Sequence, residues 1–577
     1  MRLTILLGSA AAAAITLAHA APPHPAKGYE VWASDQSNSV PGQPGGGLKG
    51  SYLWIWDSAD VEAQLAGGPV ARPLACGRDA RKRSAVGPCD LLEVFPQDLF
   101  EVDADGEPTG AALSDLPGFG RLHGMLPDPQ GRYLNVNVFA PSGGYVGIID
   151  RRTKAAVGLF RVTATNVAGP ETRSVHMSFW SEDGDALLIA NLNGKVLERI
   201  DVVRNGSGRI KDLVFRRDAS LGVSKGMAVT ESATVFRGRN AIGKKMLGRV
   251  EGNYQAQAFA DLTPNGACKE NGCASGPDGA AGGRPNNVII CPIVGEADNA
   301  YVTMGGGGLL VADVTATPMR IVGEYGNQVV NGAGCGGVQS GEQMFLNAGV
   351  SASGAGATWS TFTMYALDDT AFGGEANPEN VPAPALVYRD EGNTATGGAS
   401  EGPPANTTGQ LPGQTTRRDA HGAAATLDGA YVHNVDRIQN VVEVFDTETF
   451  ARTSYDLTSA DGQGGGTGPC QFASVTDDGG LPVNDPAPDL VERTPDGKYL
   501  MVALRGPAPV SVQHSAQGSC PGVGVIALSE DGSSGRLAGV LRTTNRVDDS
   551  PAAAPGGHGY DGAERSDVHG AAVIPKR

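Results

Sequence analysis

Short apolar runs separated by turns recur along most of this chain, and the spacing of the polar positions between them is regular. In one stretch His421–Thr426 alternates weakly, Leu427-Asp428-Gly429 makes a turn, and Ala430–Val435 reads as a strand. Val441–Asp446 (VVEVFD) is a second apolar run, Thr447–Thr449 turns, and Arg452–Leu457 returns. Four short antiparallel strands in about forty residues is the period of one propeller blade.

The same pattern is predicted at His123–Val162, at His176–Phe215 and at Cys291–Tyr325. It begins again at Cys335, with FLNAG and TFTMYALD, and at Asp489–Arg542, with YLMVAL, VGVIAL and LAGVLR. The seventh repeat is split. His569–Pro575 supplies one strand, and Tyr29–Ala33 (YEVWA) and Tyr52–Asp57 (YLWIWD) supply the others. Joining the two ends closes the ring and leaves no open sheet edge. The expected architecture is all-β: one seven-bladed propeller over 21–577, closed by pairing of N- and C-terminal strands. Long insertions are expected at 58–120, 216–290, 368–418, 458–488 and 544–566. They are rich in Gly, Pro and Asn, and all are expected to open onto one mouth of the ring, where long loops on a rigid scaffold carry function.

The polar residue about eight positions before each turn holds one register. The series is His123, His176, Cys291, Cys335, His421, Asp489 and His569. In a propeller the first strand of each blade lines the central channel, so these seven side chains are predicted to meet at one mouth. Around that ring His569, His123 and His176 are consecutive, and the two cysteines are neighbours. Imidazole and thiolate select copper, zinc or iron over magnesium or calcium. Three contiguous histidines suit an open metal site, with His421, Cys291, Cys335 and Asp489 completing or tuning it. Two other readings stand beside this one: a polar ring that is structural, and a metal-free His/Cys catalytic site. Arg121, Arg173, Arg418 and Arg565 lie just upstream of the four histidines, and Asp419 and Asp567 lie two residues before His421 and His569. The arginines are expected to hold an anionic substrate, and the aspartates to orient imidazoles or to pair with arginine on the rim.

Eight cysteines bear on the ring and on the compartment. Setting Cys291 and Cys335 aside leaves 76–89, 268–273 and 470–520 as the expected pairs. The alternative is that Cys291 and Cys335 form a fourth disulfide between adjacent blades. Met1–Ala20 reads as a cleavable signal peptide: Arg2, an apolar stretch, then Ala18-His19-Ala20, with cleavage after Ala20. No other apolar run is long enough to span a bilayer. A periplasmic or secreted protein is expected. The net charge of −17 makes a nucleic-acid partner unexpected, since phosphate binding needs a basic surface.

The segments Pro495–Leu504 (PDGKYLMVAL), Leu427–Val435 (LDGAYVHNV) and Val441–Phe450 (VVEVFDTETF) resemble the YVTN-type seven-bladed propellers of exported bacterial proteins. In layout the His-rich hub is similar to the copper-binding propellers of nitrous oxide reductase and of the selenium-binding/methanethiol oxidase family. That resemblance implies a periplasmic metal-dependent oxidoreductase acting on a small molecule, with copper favoured over iron or zinc. It also implies a periplasmic redox or metal-delivery partner. A non-enzymatic metal-, ligand- or protein-binding propeller is the alternative, and a propeller hydrolase or lactonase a further one. Lactonase propellers centre on an oxygen-rich calcium site, which a Cys/His hub does not offer.

Overall fold

Each repeat folds as an antiparallel meander whose spatial order follows the sequence. In a computed structural model, residues 28–37, 51–76, 87–260, 288–348, 362–372, 381–389, 418–471, 484–506, 518–544 and 566–576 are described. Short gaps fall at 117–118, 168–172, 225, 306, 327–328, 331–333 and 465–467. The His421 repeat gives Ala420–Ala425, Tyr431–Asp436, Val441–Asp446 and Arg452–Asp456. Sheets of the same order run Ile289–Val294 to Arg320–Tyr325, Val338–Ser340 to Ala385–Arg389, and Pro488–Arg493 to Gly535–Arg542. Together with the closing sheet and the two sheets of the first repeats, seven sheets of four or more strands are present among the described residues. The molecule is an all-β propeller.

The turn glycines explain the regular spacing. Gly131, Gly184, Gly429 and Gly497 have φ between +64° and +75°, a region costly for residues with a Cβ, so each returns the chain sharply into its second strand.

The ends close the ring as the split repeat predicts. Tyr29–Asp35 pairs antiparallel with Val568–Pro575 on one side, Trp32 opposite Ala572, and with Tyr52–Asp57 on the other. Apolar side chains on this sheet (Val31, Trp56, Val573) share a core with Met501, Val523 and Val525 of the neighbouring sheet. The middle strands are buried on both faces, which is why runs such as Tyr499–Leu504 are nearly all apolar. Each such Val or Leu contributes about 1.5–3 kcal/mol relative to exposure.

The insertions are not simply mouth-facing loops. Within 58–120 and 216–290 the chain forms Phe100–Val102, Pro108–Ala112 and Thr234–Arg237, which extend the His123 sheet outward to seven strands. Arg249–Glu251 pairs parallel to Ile210–Arg216 and widens the His176 sheet. Residues 390–417, 472–483 and 545–565 of the other insertions lie outside the described residues. So does Met1–Ala20, the segment expected to be a leader. Among the described residues no helix is long and apolar enough to cross a membrane.

Candidate metal centre at the propeller hub

Six of the seven register residues sit at an irregularity of the ladder. The pairing skips at Leu122/Gly124, Val175/Ser178, Ile289/Pro292, Ala420/Ala423 and Pro488/Val491, and at Gly570/Val568 opposite Ser34/Asp35. His123, His176, Cys291, His421, Asp489 and His569 fall within these steps. A bulge turns a side chain away from the regular pleat and is common beside functional sites. Here it turns six side chains toward the channel. Side-chain amides hold two of the bulges: Asn137 donates to the Gly124 carbonyl at 3.1 Å and Asn434 to that of Gly422 at 2.9 Å.

The imidazoles form a continuous row. His123 lies between His176 and His569, with ring centroids 4.1 and 4.0 Å away, and His421 is 6.0 Å from His569. The predicted contiguity of His569, His123 and His176 is thus present. The donors nevertheless gather into two groups, each with its ligand atoms within 4.8 Å of one another: His421, Asp489 and His569; and His176, Cys291 and Cys335.

In the first group, Asp489 Oδ1 is 2.8 Å from His421 Nε2 and 3.8 Å from His569 Nε2. Its other oxygen, Oδ2, accepts from Arg437 Nη1 (3.1 Å) and Arg505 Nη1 (2.9 Å). Burial alone would raise this carboxyl, but His421, His569 and Arg437 outweigh it and hold Asp489 well below the usual carboxylate range. His569 Nδ1 donates to the His123 carbonyl at 2.8 Å, which in the neutral ring leaves the lone pair on Nε2. Burial keeps His569 well below the usual imidazole value, against the pull of Asp489. Two acceptors, Nε2 and Oδ1, therefore face each other.

His123 is likewise held low, by burial and then by His569 and His176, and its buried Nδ1 has no hydrogen-bond partner among the described residues. His176 is pushed down to about 3, by burial and then by His421 and Arg121. His123, His176 and His569 are thus held toward the neutral form, the form that binds metal.

The second group is already closed. Cys291 and Cys335 are joined by a disulfide, with Cα atoms 5.4 Å apart. The expectation that they stand as thiolate ligands is corrected: the Ile289–Val294 strand and the bend that leads into Val338–Ser340 bring the two sulfurs into bonding contact, and the inter-blade disulfide alternative is the one observed. The 470–520 pair is also formed. Cys76 and Cys89 are not bonded; they are neighbouring buried thiols, with Cys89 Sγ directed to the Leu74 carbonyl. The 268–273 pair lies outside the described residues.

Of the two readings of the flanking aspartates, pairing with arginine is the one observed, in the interior rather than on the rim. Asp419 Oδ2 accepts from Arg437 Nε at 2.7 Å, and Asp567 accepts from Arg505 Nε and Nη2 at 2.7 and 2.8 Å. The result is a buried chain, Asp419–Arg437–Asp489–Arg505–Asp567, with a formal charge of −1. Arg437 and Arg505 were not legible as site residues one at a time. Each stands sixteen residues after the ring residue of its own repeat, a signal the register would have revealed. Phe139 has the same place after His123, with ring centroids 5.3 Å apart. Nor are the upstream arginines free for an anion. Arg173 pairs with Glu231 and Arg418 with Asp436 and Glu443, while Arg121 lies over the Phe139 ring at 4.1 Å. Arg565 is outside the described residues.

No family model matches the chain, and a search of curated proteins gives no match. Solved structures similar to it include a Lactobacillus plantarum protein, at 11% identity and TM-score 0.40, covering 88% of this chain and 95% of the other. The periplasmic gluconolactonase of Pseudomonas aeruginosa aligns at 10% identity and TM-score 0.41, covering 88% and 94%. The hydrazine synthase of Kuenenia stuttgartiensis aligns at 13% identity and TM-score 0.31, covering 70% and 76%. Likeness at these TM-scores carries no argument about this chain's activity.

Proposed function

We propose that the protein is an exported seven-bladed propeller whose hub holds one transition-metal ion between His421 Nε2, His569 Nε2 and Asp489 Oδ1, and that it is a metal-dependent oxidoreductase acting on a small molecule. The seven sheets of four or more strands among the described residues, each taken as one blade, support the count. Export rests on the leader Met1–Ala20 and accords with the two disulfides.

The observation that carries the metal is the pair of lone pairs at His569 Nε2 and Asp489 Oδ1, buried and 3.8 Å apart. Two atoms bound at about 2.1 Å to one ion lie at most about 4.2 Å apart. The 2.8 and 3.8 Å separations from Asp489 Oδ1 fit that limit. A cation removes the acceptor-to-acceptor repulsion and balances the −1 of the Asp/Arg chain.

The donor set also bears on which metal. With both sulfurs in a disulfide, two imidazoles and one carboxylate remain, a set that favours non-haem iron, then zinc, ahead of the copper expected from the sequence. When bound, such an ion supplies a Lewis-acid or redox centre with open positions. The protein's own part is positional. Arg437 and Arg505 fix the carboxylate by Oδ2 and leave Oδ1 for the ion. The His123 carbonyl fixes the His569 tautomer. His123 lines the open side.

Elemental analysis of the full chain, beside Asp489→Asn and His569→Gln variants, tests this. About one equivalent of iron or zinc is expected in the wild type, with affinity at least about tenfold weaker in both variants at unchanged circular dichroism. Metal-free wild type after reconstitution with Fe(II), Zn(II) and Cu(II) sinks the site. Stoichiometric metal without turnover of small reductants under O₂ sinks the oxidoreductase class alone, and lactone hydrolysis by metal-free protein favours the lactonase reading instead.

A further inference from the structure

We propose that the Cys291–Cys335 disulfide masks a second, redox-gated metal site, in which the two sulfurs and His176 Nδ1 bind a zinc-like ion once the bond is reduced. None of its donors belongs to the His421–Asp489–His569 group, so it stands or falls separately from the site proposed above.

The geometry is already most of the way there. His176 Nδ1 lies 3.7 Å from Cys291 Sγ and 3.6 Å from Cys335 Sγ. A tetrahedral zinc with bonds of about 2.3 Å to sulfur and about 2.0 Å to nitrogen sets nitrogen and sulfur about 3.5 Å apart, and two sulfurs about 3.8 Å apart. Two of the three separations match without movement. Only the sulfurs must part, which side-chain rotation achieves from Cα atoms 5.4 Å apart.

The backbone that carries the cysteines is held independently of the disulfide. Thr303 Oγ1 accepts from the Cys291 N–H at 3.2 Å and donates to the Gly334 carbonyl at 2.9 Å, so one hydroxyl ties the Cys291 strand to the segment that carries Cys335. Gly336 N–H donates to Asn347 Oδ1 at 3.3 Å on the far side of Cys335. Opening the sulfur–sulfur bond therefore leaves both Cα atoms in place, and the sulfurs stay beside the imidazole. His176 keeps partial solvent exposure, which gives an ion an approach. Thiolate and imidazole together form a soft donor set, suited to zinc or cuprous copper, unlike the harder set across the channel.

The step balances simply. A dithiol gives two electrons and two protons to the disulfide and is itself oxidised to a disulfide. The sulfur–sulfur bond breaks and two thiols form. Metal binding then displaces the thiol protons to solvent. The hub would thus hold one site at all times and a second only under reducing conditions.

The test compares oxidised and reduced full-length protein. The chain is reduced with a phosphine, freed of reductant without air, and titrated with Co(II) as a zinc surrogate. Thiolate-to-cobalt charge-transfer absorption reports sulfur ligation, and elemental analysis counts ions. Reduction is expected to add about one equivalent with the charge-transfer band, absent before reduction. A Cys291→Ser/Cys335→Ser variant should lose that increment, which also excludes thiols from Cys470–Cys520. His176→Ala, which keeps both sulfurs, should bind cobalt at least about tenfold more weakly. The oxidised wild type serves as a folded control if the cysteine variant does not fold. Two freed thiols without a charge-transfer band, or unchanged affinity in His176→Ala, overturn the proposal. Failure of the His421–Asp489–His569 site would show instead as missing metal before reduction.

Discussion

His433 shows how one buried imidazole sets the response of the fold to acid. Its Nε2 donates to the Gly532 carbonyl at 2.8 Å, and its Nδ1 accepts from the Tyr455 hydroxyl at 3.1 Å. The Nδ1 bond needs the neutral ring, and burial, against the Gly532 carbonyl that favours the charged form, pushes its pKa down from 6.5 to about 4. The unfolded chain takes up the proton first as pH falls. Stability from His433 is therefore full above pH 6.5 and lost as pH drops toward 4, by on the order of 3 kcal/mol. A His433→Gln variant should show a shallower loss of denaturant stability between those values. Every other group is the same in both proteins, so the difference between the two curves isolates His433. Identical slopes would contradict the assignment.

At the scale of the strand, the His-Gly pairs have a steric cause. A Cβ on Gly422 would stand 2.5 Å from the Asp489 carbonyl oxygen and 2.7 Å from the Val491 nitrogen. One on Gly336 would fall on the His421 carbonyl, and one on Gly124 on the Met177 sulfur. The glycine after a ring residue thus lets the next blade's inner strand pass close enough for neighbouring donors to meet. Gly422→Ala should cost about 1–3 kcal/mol by forcing that backbone apart. It should also weaken hub metal binding, because Asp489 moves with its strand. Chemical denaturation and metal titration of the same variant check both, and a stability loss with unaltered metal affinity would separate the glycine from the site.

How much of this was readable in the sequence follows from range. The ring residues, the turn glycines and the strands of each repeat recur at short fixed intervals, so His123, His176, Cys291, Cys335, His421, Asp489 and His569 were found together. Partners drawn from different repeats leave no local trace. Thr234–Arg237 pairs with both Phe100–Val102 and Ala155–Arg161, segments of separate insertions and blades, so 58–120 and 216–290 read as loops. Asp567 was recognised as flanking the site, but its partner Arg505 comes from the end of the second strand of another repeat. The state of Cys291 and Cys335 depends on how close two blades approach, which spacing alone does not fix.

The whole molecule is held by cores between blades and by two covalent ties among the described residues. Cys470–Cys520 closes a loop of 50 residues, tying the 458–488 insertion to the Asp489 repeat. Cross-linking a loop of that length lowers the entropy of the unfolded chain by an amount worth about 4 kcal/mol, less any native strain. Cys470→Ser should reduce unfolding free energy by about 2–4 kcal/mol in non-reducing buffer, measured with guanidinium. A change below about 1 kcal/mol would mean that the unfolded chain keeps the loop closed by other means.

Ring closure has a consequence in time. Ser34 reaches Gly570 across 536 residues of sequence, and His569 sits on the same late strand. A chain grows from its amino end, so Tyr29–Asp35 waits with an unpaired edge until Val568–Pro575 is made. His421 and Asp489 also wait for His569. Any product that stops short of Val568 carries both an open edge and an incomplete set of donors. With the proposed ion at the hub, proteases that recognise exposed strands and the supply of metal would sort the same molecules, and only finished rings would be loaded.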